Sequence, residues 1–203
     1  WKEGKVKIVK NAIDLECFAY MPETRERMRQ QFGLKDSYVV GHVGRFAPQK
    51  NHDFLIDIFA EIKKKKKEAV LLLVGEGELR SEIEEKVRHL GLSDSVIFTG
   101  VRKDVPELMQ MMDVFVMPSL FEGLGIVLIE AQTTGLPCFA SEGVVAQEAK
   151  VTELLNFYSL EHKAEEWATE ILKKSVLYTR TSRVEQVTKK GYDSKEAAKK
   201  LQE

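Results

Sequence analysis

The chain has 203 residues, enough for about one domain with a sizeable buried core. Its 31 basic and 32 acidic residues nearly cancel, which excludes the general attraction to nucleic acid or acidic partners that a strongly basic chain would have. No apolar run approaches the roughly 20 residues of a membrane span, no signal peptide is visible, and Cys17 and Cys138 stand outside any metal or redox spacing, so a soluble chain in a reducing compartment is expected.

Val6–Val9 reads as a short strand, followed by the turn Asn11–Ala12–Ile13–Asp14. Pro22–Phe32 is a polar, arginine-rich helix stopped by Gly33. From Tyr38 the pattern becomes regular. Apolar strands at Tyr38–Val43, Ala69–Val74, Val96–Thr99, Val114–Met117 and Pro137–Ala140, with a further one at Asn156–Tyr158, alternate with helices. The helices are His52–Lys65, Leu79–Leu90, Pro106–Met112, Ile126–Thr134 and Ala164–Val176. Tyr192–Glu203 reads as a terminal helix, with Asp193 and Glu196 in capping-box spacing. Strands alternating with helices are the signature of an open, parallel, Rossmann-like α/β sheet with helices on both faces, whose ligands bind beyond the carboxyl ends of the strands. The chain opens on Trp1 without an initiator methionine and ends inside a helical pattern, which suggests a piece of something longer.

The loops that follow strands are therefore the places to search. After the first regular strand come Gly44, Arg45 and Lys50, with Asn51 in N-cap position for the next helix. Cations just before a helix N-terminus oppose its macrodipole, which makes sense if a phosphate or diphosphate sits there; the alternative is that both side chains point into water. Gly75–Arg80 mimics a dinucleotide fingerprint, but Arg80 stands where the third glycine belongs and Glu76 and Glu78 would repel phosphate. The run Lys63–Lys67 reads as a solvated helix end rather than a membrane-binding patch. Gly100, Val101 and Arg102 reach the same sheet edge, either as an ordinary loop or as backbone that hydrogen-bonds a base edge.

The stretch Phe121–Pro137 carries Glu122 and Glu130 with seven residues between them. Ile126, Ile129, Glu130 and Thr133 follow helical spacing, so Glu130 falls on the stripe expected to face inward. A carboxylate there needs a donor: a buried N–H, a lysine, or a ligand with two adjacent hydroxyls such as a ribose. The N–H groups of Leu124, Gly125 and Ile126 form a second phosphate-friendly helix start.

The order GRF…K, a loop after FTG, then E-x7-E followed by GLP resembles the C-terminal, donor-binding domain of retaining glycosyltransferases of the GT-B fold, carbohydrate-active family four. GHVGRFAPQKNH and LIEAQTTGLPCFAS are similar to the branch that builds capsular or exopolysaccharide units. The resemblance implies that Arg45 and Lys50, with Gly44, bind the donor diphosphate, Glu122 the sugar hydroxyls, Glu130 the ribose, and Gly100, Val101 and Arg102 the base. It implies residues 1–176 as the donor-binding domain, residues 177–203 as a linker and closing helix, and an N-terminal acceptor domain absent from this chain. The implied partners are a nucleotide-sugar donor, UDP-linked on the polysaccharide likeness, and a saccharide or lipid-linked saccharide acceptor. The implied setting is the cytoplasm, with peripheral association of the full-length enzyme at the inner membrane face left open. No Asp-x-Asp motif is present, so no metal and no cofactor are expected.

Two departures stand out: Ala12 takes a glycine place in the hinge motif, and residues 141–148 lack the paired glycines of many relatives. Since the acceptor site would come from the absent domain, the fragment is expected to bind donor without efficient transfer. The competing readings are a non-catalytic nucleotide-binding α/β module and a GT-B-fold nucleotide-sugar epimerase.

Overall fold

The computed structural model describes residues 11–202. The expected strand Val6–Val9 lies outside them. Six parallel strands, β1 (Tyr38–Val43), β2 (Ala69–Val74), β3 (Val96–Phe98), β4 (Val114–Met117), β5 (Cys138–Ser141) and β6 (Leu155–Tyr158), form one sheet in the order β3-β2-β1-β4-β5-β6. The chain winds outward from β1 in one direction and from β4 in the other. Their shared border is the switch point where such sheets hold ligands.

The helices are α1 (Pro22–Gln31), α2 (His52–Lys65), α3 (Arg80–His89), α4 (Val105–Met111), α5 (Ile126–Thr133), α6 (Ala164–Ser175), α7 (Val184–Lys189) and α8 (Ser194–Gln202). Alternate strand residues feed two cores. Val39, Leu72, Phe115, Met117 and Cys138 pack under α1, α4, α5 and α7, whereas Val40, Leu71, Leu73, Val116 and Phe139 pack under α2, α3 and α6. Each large aliphatic side chain so buried contributes about 1.5–3 kcal/mol against exposure. The near-continuous apolar runs of the strands follow from burial on both faces.

Three expectations about helix starts and faces are corrected. Asn51 occupies the N-cap position of α2, but its backbone is left-handed at φ 54° and its side chain makes no capping bond. Ile126 is 36% exposed because it opens α5 at the rim, where no second layer covers it; the inward face is Leu128, Ile129, Ala131, Gln132 and Thr133. Asp193 Oδ1 accepts from Lys195 N at 2.8 Å, while Glu196 turns to Lys199 instead of completing the capping box.

The segment read as linker and closing helix contains the unforeseen α7, with Val187 fully buried. Ahead of it, Arg180 donates to the carbonyls of Thr134, Gln110, Met112 and Met109. Arg25 and Arg29 from α1 reach carbonyls of the same α4 terminus and the Asp113 carboxylate. Three cations thus satisfy the carboxyl end of one helix, which its dipole favours. The turn after Asn11 is tied in as well: Ile13 N donates to Tyr192 O at 2.9 Å, and Ser194 N to Ile13 O at 3.0 Å.

Candidate functional site

The loops at the carboxyl ends of the strands form a continuous rim. Gly75 N donates to Gly100 O at 3.0 Å, joining the loop after β3 to the loop after β2. Phe46 N donates to Glu76 O, and Leu79 N to Phe46 O, joining that loop to the one after β1. Gly75 has φ 141° and no room for a Cβ, because the Gly44 carbonyl occupies its place. The glycines of the false fingerprint therefore serve close loop packing. Across the switch point, Leu120 N donates to Gln49 O at 2.8 Å and Asn51 Nδ2 to Pro118 O at 3.0 Å.

Lys50 ends a single 3-10 turn, Pro48–Lys50, and its ammonium is ion-paired with the Glu122 carboxylate. Both side chains are nearly covered, at 12% and 16% exposure. Two residues separated by 71 others in sequence meet directly over the β1/β4 border. Arg45 turns the other way, to Glu78, at 3.0 Å, with both side chains largely in water. The structure thus joins Lys50 to Glu122 and leaves Arg45 with a different partner, an acid expected to repel phosphate and to favour a helix start. A Cβ on Gly44 would come within 3.4 Å of the Lys50 stem, so this glycine lies directly beside Lys50.

The loop from Glu122 runs into α5 through Gly125, whose φ of 66° turns the chain into the helix. The N–H groups of Leu124, Gly125 and Ile126 find no acceptor among the described residues. The Glu130 carboxylate, half-buried one turn into α5, likewise has no hydrogen-bond or ion-pair partner among them. Burial alone pushes its carboxyl above the usual range. The donor that the sequence demanded for this acid is not supplied by the described residues.

At the far end of the rim, Gly100 has φ 70° and lies 3.1 Å, by its absent Cβ, from the Glu76 carboxylate. Val101 is 76% exposed. Arg102 is held by Asp104 at 2.6 Å, which raises the pKa of its guanidinium. Gly100 is therefore anchored beside the loop after β2, while Arg102 is held within its own loop, two strands away from Lys50.

The sequence reading missed a second group of polar residues under this rim. His42, on β1, and His52, opening α2, are buried with ring centroids 4.7 Å apart. His42 Nδ1 lies 2.8 Å from Val116 O and so carries the proton of the neutral ring, leaving Nε2 an acceptor without a donor. Both nitrogens of His52 are without partners among the described residues while its ring stacks on Phe46 at 4.2 Å. Burial, then the neighbouring Lys50 charge, lowers His52 to about 4; burial and His52 hold His42 well below its ordinary value. Ser119 and Ser141, at the ends of β4 and β5, also have buried hydroxyls without partners among the described residues. A histidine inside an otherwise apolar strand, one residue from its carboxyl end, was the signal available in the sequence. No group of three or more metal-ligating side chains is gathered among the described residues.

Residues 24–174 match the family described as glycosyl transferases group 1. EpsF of Bacillus subtilis is 39% identical over 168 residues, covering 82% of this chain and 44% of its own length. The UDP-Gal:alpha-D-GlcNAc-diphosphoundecaprenol alpha-1,3-galactosyltransferase of Escherichia coli is 35% identical over 141 residues, covering 68% of this chain and 36% of that protein. Among solved structures, Anabaena HepE in complex with UDP and glucose superimposes with a TM-score of 0.79 at 25% identity, over 97% of this chain and 55% of that one. This chain thus spans less than half the length of these two curated relatives. Matched over most of its length, and built on a six-stranded parallel sheet, the chain belongs to the glycosyl transferases group 1 family.

Proposed function

We propose that this chain is the donor-binding half of a retaining glycosyltransferase, moving a sugar from a nucleotide diphosphate, UDP by preference, to a growing polysaccharide or lipid-linked saccharide. The observation that carries this is a set of groups on one loop and helix without partners among the described residues: the amides at 124–126 and the Glu130 carboxylate. A diphosphate would accept from those amides, and a ribose diol would donate to Glu130. The UDP bound to HepE and the UDP-sugar named for the Escherichia coli relative favour uridine.

In this reading the rim orders the donor along its length. The base lies toward Gly100, Val101 and Arg102, the diphosphate against Gly44, Arg45 and Lys50, and the hexose at Glu122. When the anomeric carbon parts from the phosphate, negative charge grows on the leaving oxygen, and Lys50, Arg45 and the amides of Leu124, Gly125 and Ile126 stabilise it. These fixed donors take the part a divalent ion plays elsewhere. Glu122 orients the sugar and favours positive character at its ring, and the acceptor attacks from the leaving-group face, with retention. The acceptor site belongs to a further domain, and the work is done on the cytoplasmic side, at the inner face of the membrane.

Isothermal titration of the chain with UDP, GDP, ADP and their sugar conjugates tests this. Saturable binding of one diphosphate family is expected; binding of none removes the reading.

A further inference from the structure

The two cations assigned to the diphosphate each already hold an acid. The pairs differ in kind. Arg45–Glu78 is 72% and 50% exposed, so solvent screens it and a ligand breaks it at little cost. Lys50–Glu122 is 12% and 16% exposed, and a carboxylate that loses its ammonium there stays close to whatever replaces it. A hexose on the diphosphate supplies hydroxyl donors to the released Glu122. A bare nucleotide diphosphate supplies none and adds a further negative charge.

Resting on the donor-binding reading above, we propose that Glu122 is a specificity-determining residue acting through Lys50: it competes with the phosphates for the ammonium and so selects sugar-bearing nucleotide over the bare nucleotide that transfer leaves behind. After transfer, the carboxylate that has lost its sugar hydroxyls reclaims Lys50 and helps expel the product. The same contact keeps two nearly covered opposite charges paired at the rim.

Titration of UDP and of UDP-glucose into five proteins tests this: wild type, Glu122→Gln, Glu122→Ala, Lys50→Met and the Glu122→Gln/Lys50→Met double variant. Glu122→Gln should tighten UDP about tenfold and shift the UDP to UDP-glucose affinity ratio toward UDP by at least that much, since a charge-assisted bond is removed from the competitor. In the Lys50→Met background the same change should move UDP affinity less than about twofold, because the contested ammonium is gone. Glu122→Ala, which also deletes the carboxylate, guards against an amide that finds its own bond and should tighten UDP in the same direction. UDP affinity unchanged or weakened in both Glu122 variants overturns the proposal, as does equal tightening with and without Lys50. Absence of binding of any nucleotide diphosphate to the wild-type chain in the titration above removes the nucleotide reading and this inference with it; binding that ignores Glu122 removes this inference alone.

Discussion

Asn51 donates from its side-chain amide to the carbonyl oxygen of Pro118 at 3.0 Å, stitching the loop after β1 to the loop after β4 across the switch point. It is also the one non-glycine residue with positive φ among those described. Asparagine tolerates that backbone better than most residues, so both requirements meet in one side chain. They separate by mutation. Asn51→Gly keeps the backbone and loses the bond, and should cost about 1 kcal/mol in urea denaturation. Asn51→Ala loses both and should cost about 2 kcal/mol. Equal midpoints for the two variants would mean that the left-handed turn is unstrained.

Glu130 gives opposite signs for folding and binding. Its carboxyl is raised by burial, so the folded state binds more protons than the unfolded one, and stability falls as pH rises from the ordinary carboxyl value through the raised one. Above that window the charge is a standing cost. Glu130→Gln should therefore raise Tm at pH 7 by about 1–3 °C. The same variant should weaken UDP binding about tenfold and shrink the preference for UDP over its 2′-deoxy analogue. A drop in Tm would show that the carboxylate has a stabilising partner in solution.

Much of the scaffold could be read from residue order. β1, β2, β4 and α2 run over the residues expected, and the ends of β3, β5 and β6 shift by one, because a parallel sheet buried on both faces writes its strands as apolar runs. α7 could not be read: six residues without a cap signal become a helix because Val187 fills a hole in the core. At the rim, residue types were legible and their partners were not. Lys50 and Glu122 are both visible as candidates, yet their contact depends on β1 and β4 lying side by side, which no local pattern encodes. Arg45 was expected beside Lys50, but Glu78, 33 residues on, decides where it points. Tertiary placement, rather than propensity, fixes the charges.

His52 sets an acid limit on the fold. Its folded-state pKa is about 4, below the ordinary value of 6.5, so the unfolded chain binds more protons between those values. Stability is unaffected above pH 6.5 and declines as pH falls toward 4, by about 3 kcal/mol over the window. His42, lowered for the same reason, steepens the decline from the same upper edge. His52→Phe keeps a ring against Phe46 and should flatten part of the slope between pH 6.5 and 4, read as the urea midpoint at half-unit steps. An unaltered slope would assign the acid sensitivity elsewhere.

Arg180 joins the chain beyond α6 to the carboxyl ends of α4 and α5. Its Nε bond to Thr134 O is 2.6 Å, its Nη atoms reach three carbonyls around the end of α4, and its guanidinium lies 4.6 Å over the Tyr20 ring. Burial lowers its pKa to about 9, still charged at neutral pH. Arg25 also serves Gln110 and Met112, so Arg180→Ala strands chiefly the Thr134 and Met109 carbonyls; Met109 keeps only a 3.3 Å bond from Met112 N. Two weakened acceptors and a lost cation–π contact predict a loss of about 2–4 kcal/mol. Arg180→Lys keeps the charge but not the planar fork, and should recover less than half of it. Amide exchange separates this from a diffuse effect. Val187 and Tyr192 amides should lose protection in Arg180→Ala while those of β1 and β2 keep theirs, whereas uniform loss across the chain would show that the C-terminal segment and the sheet unfold as one unit.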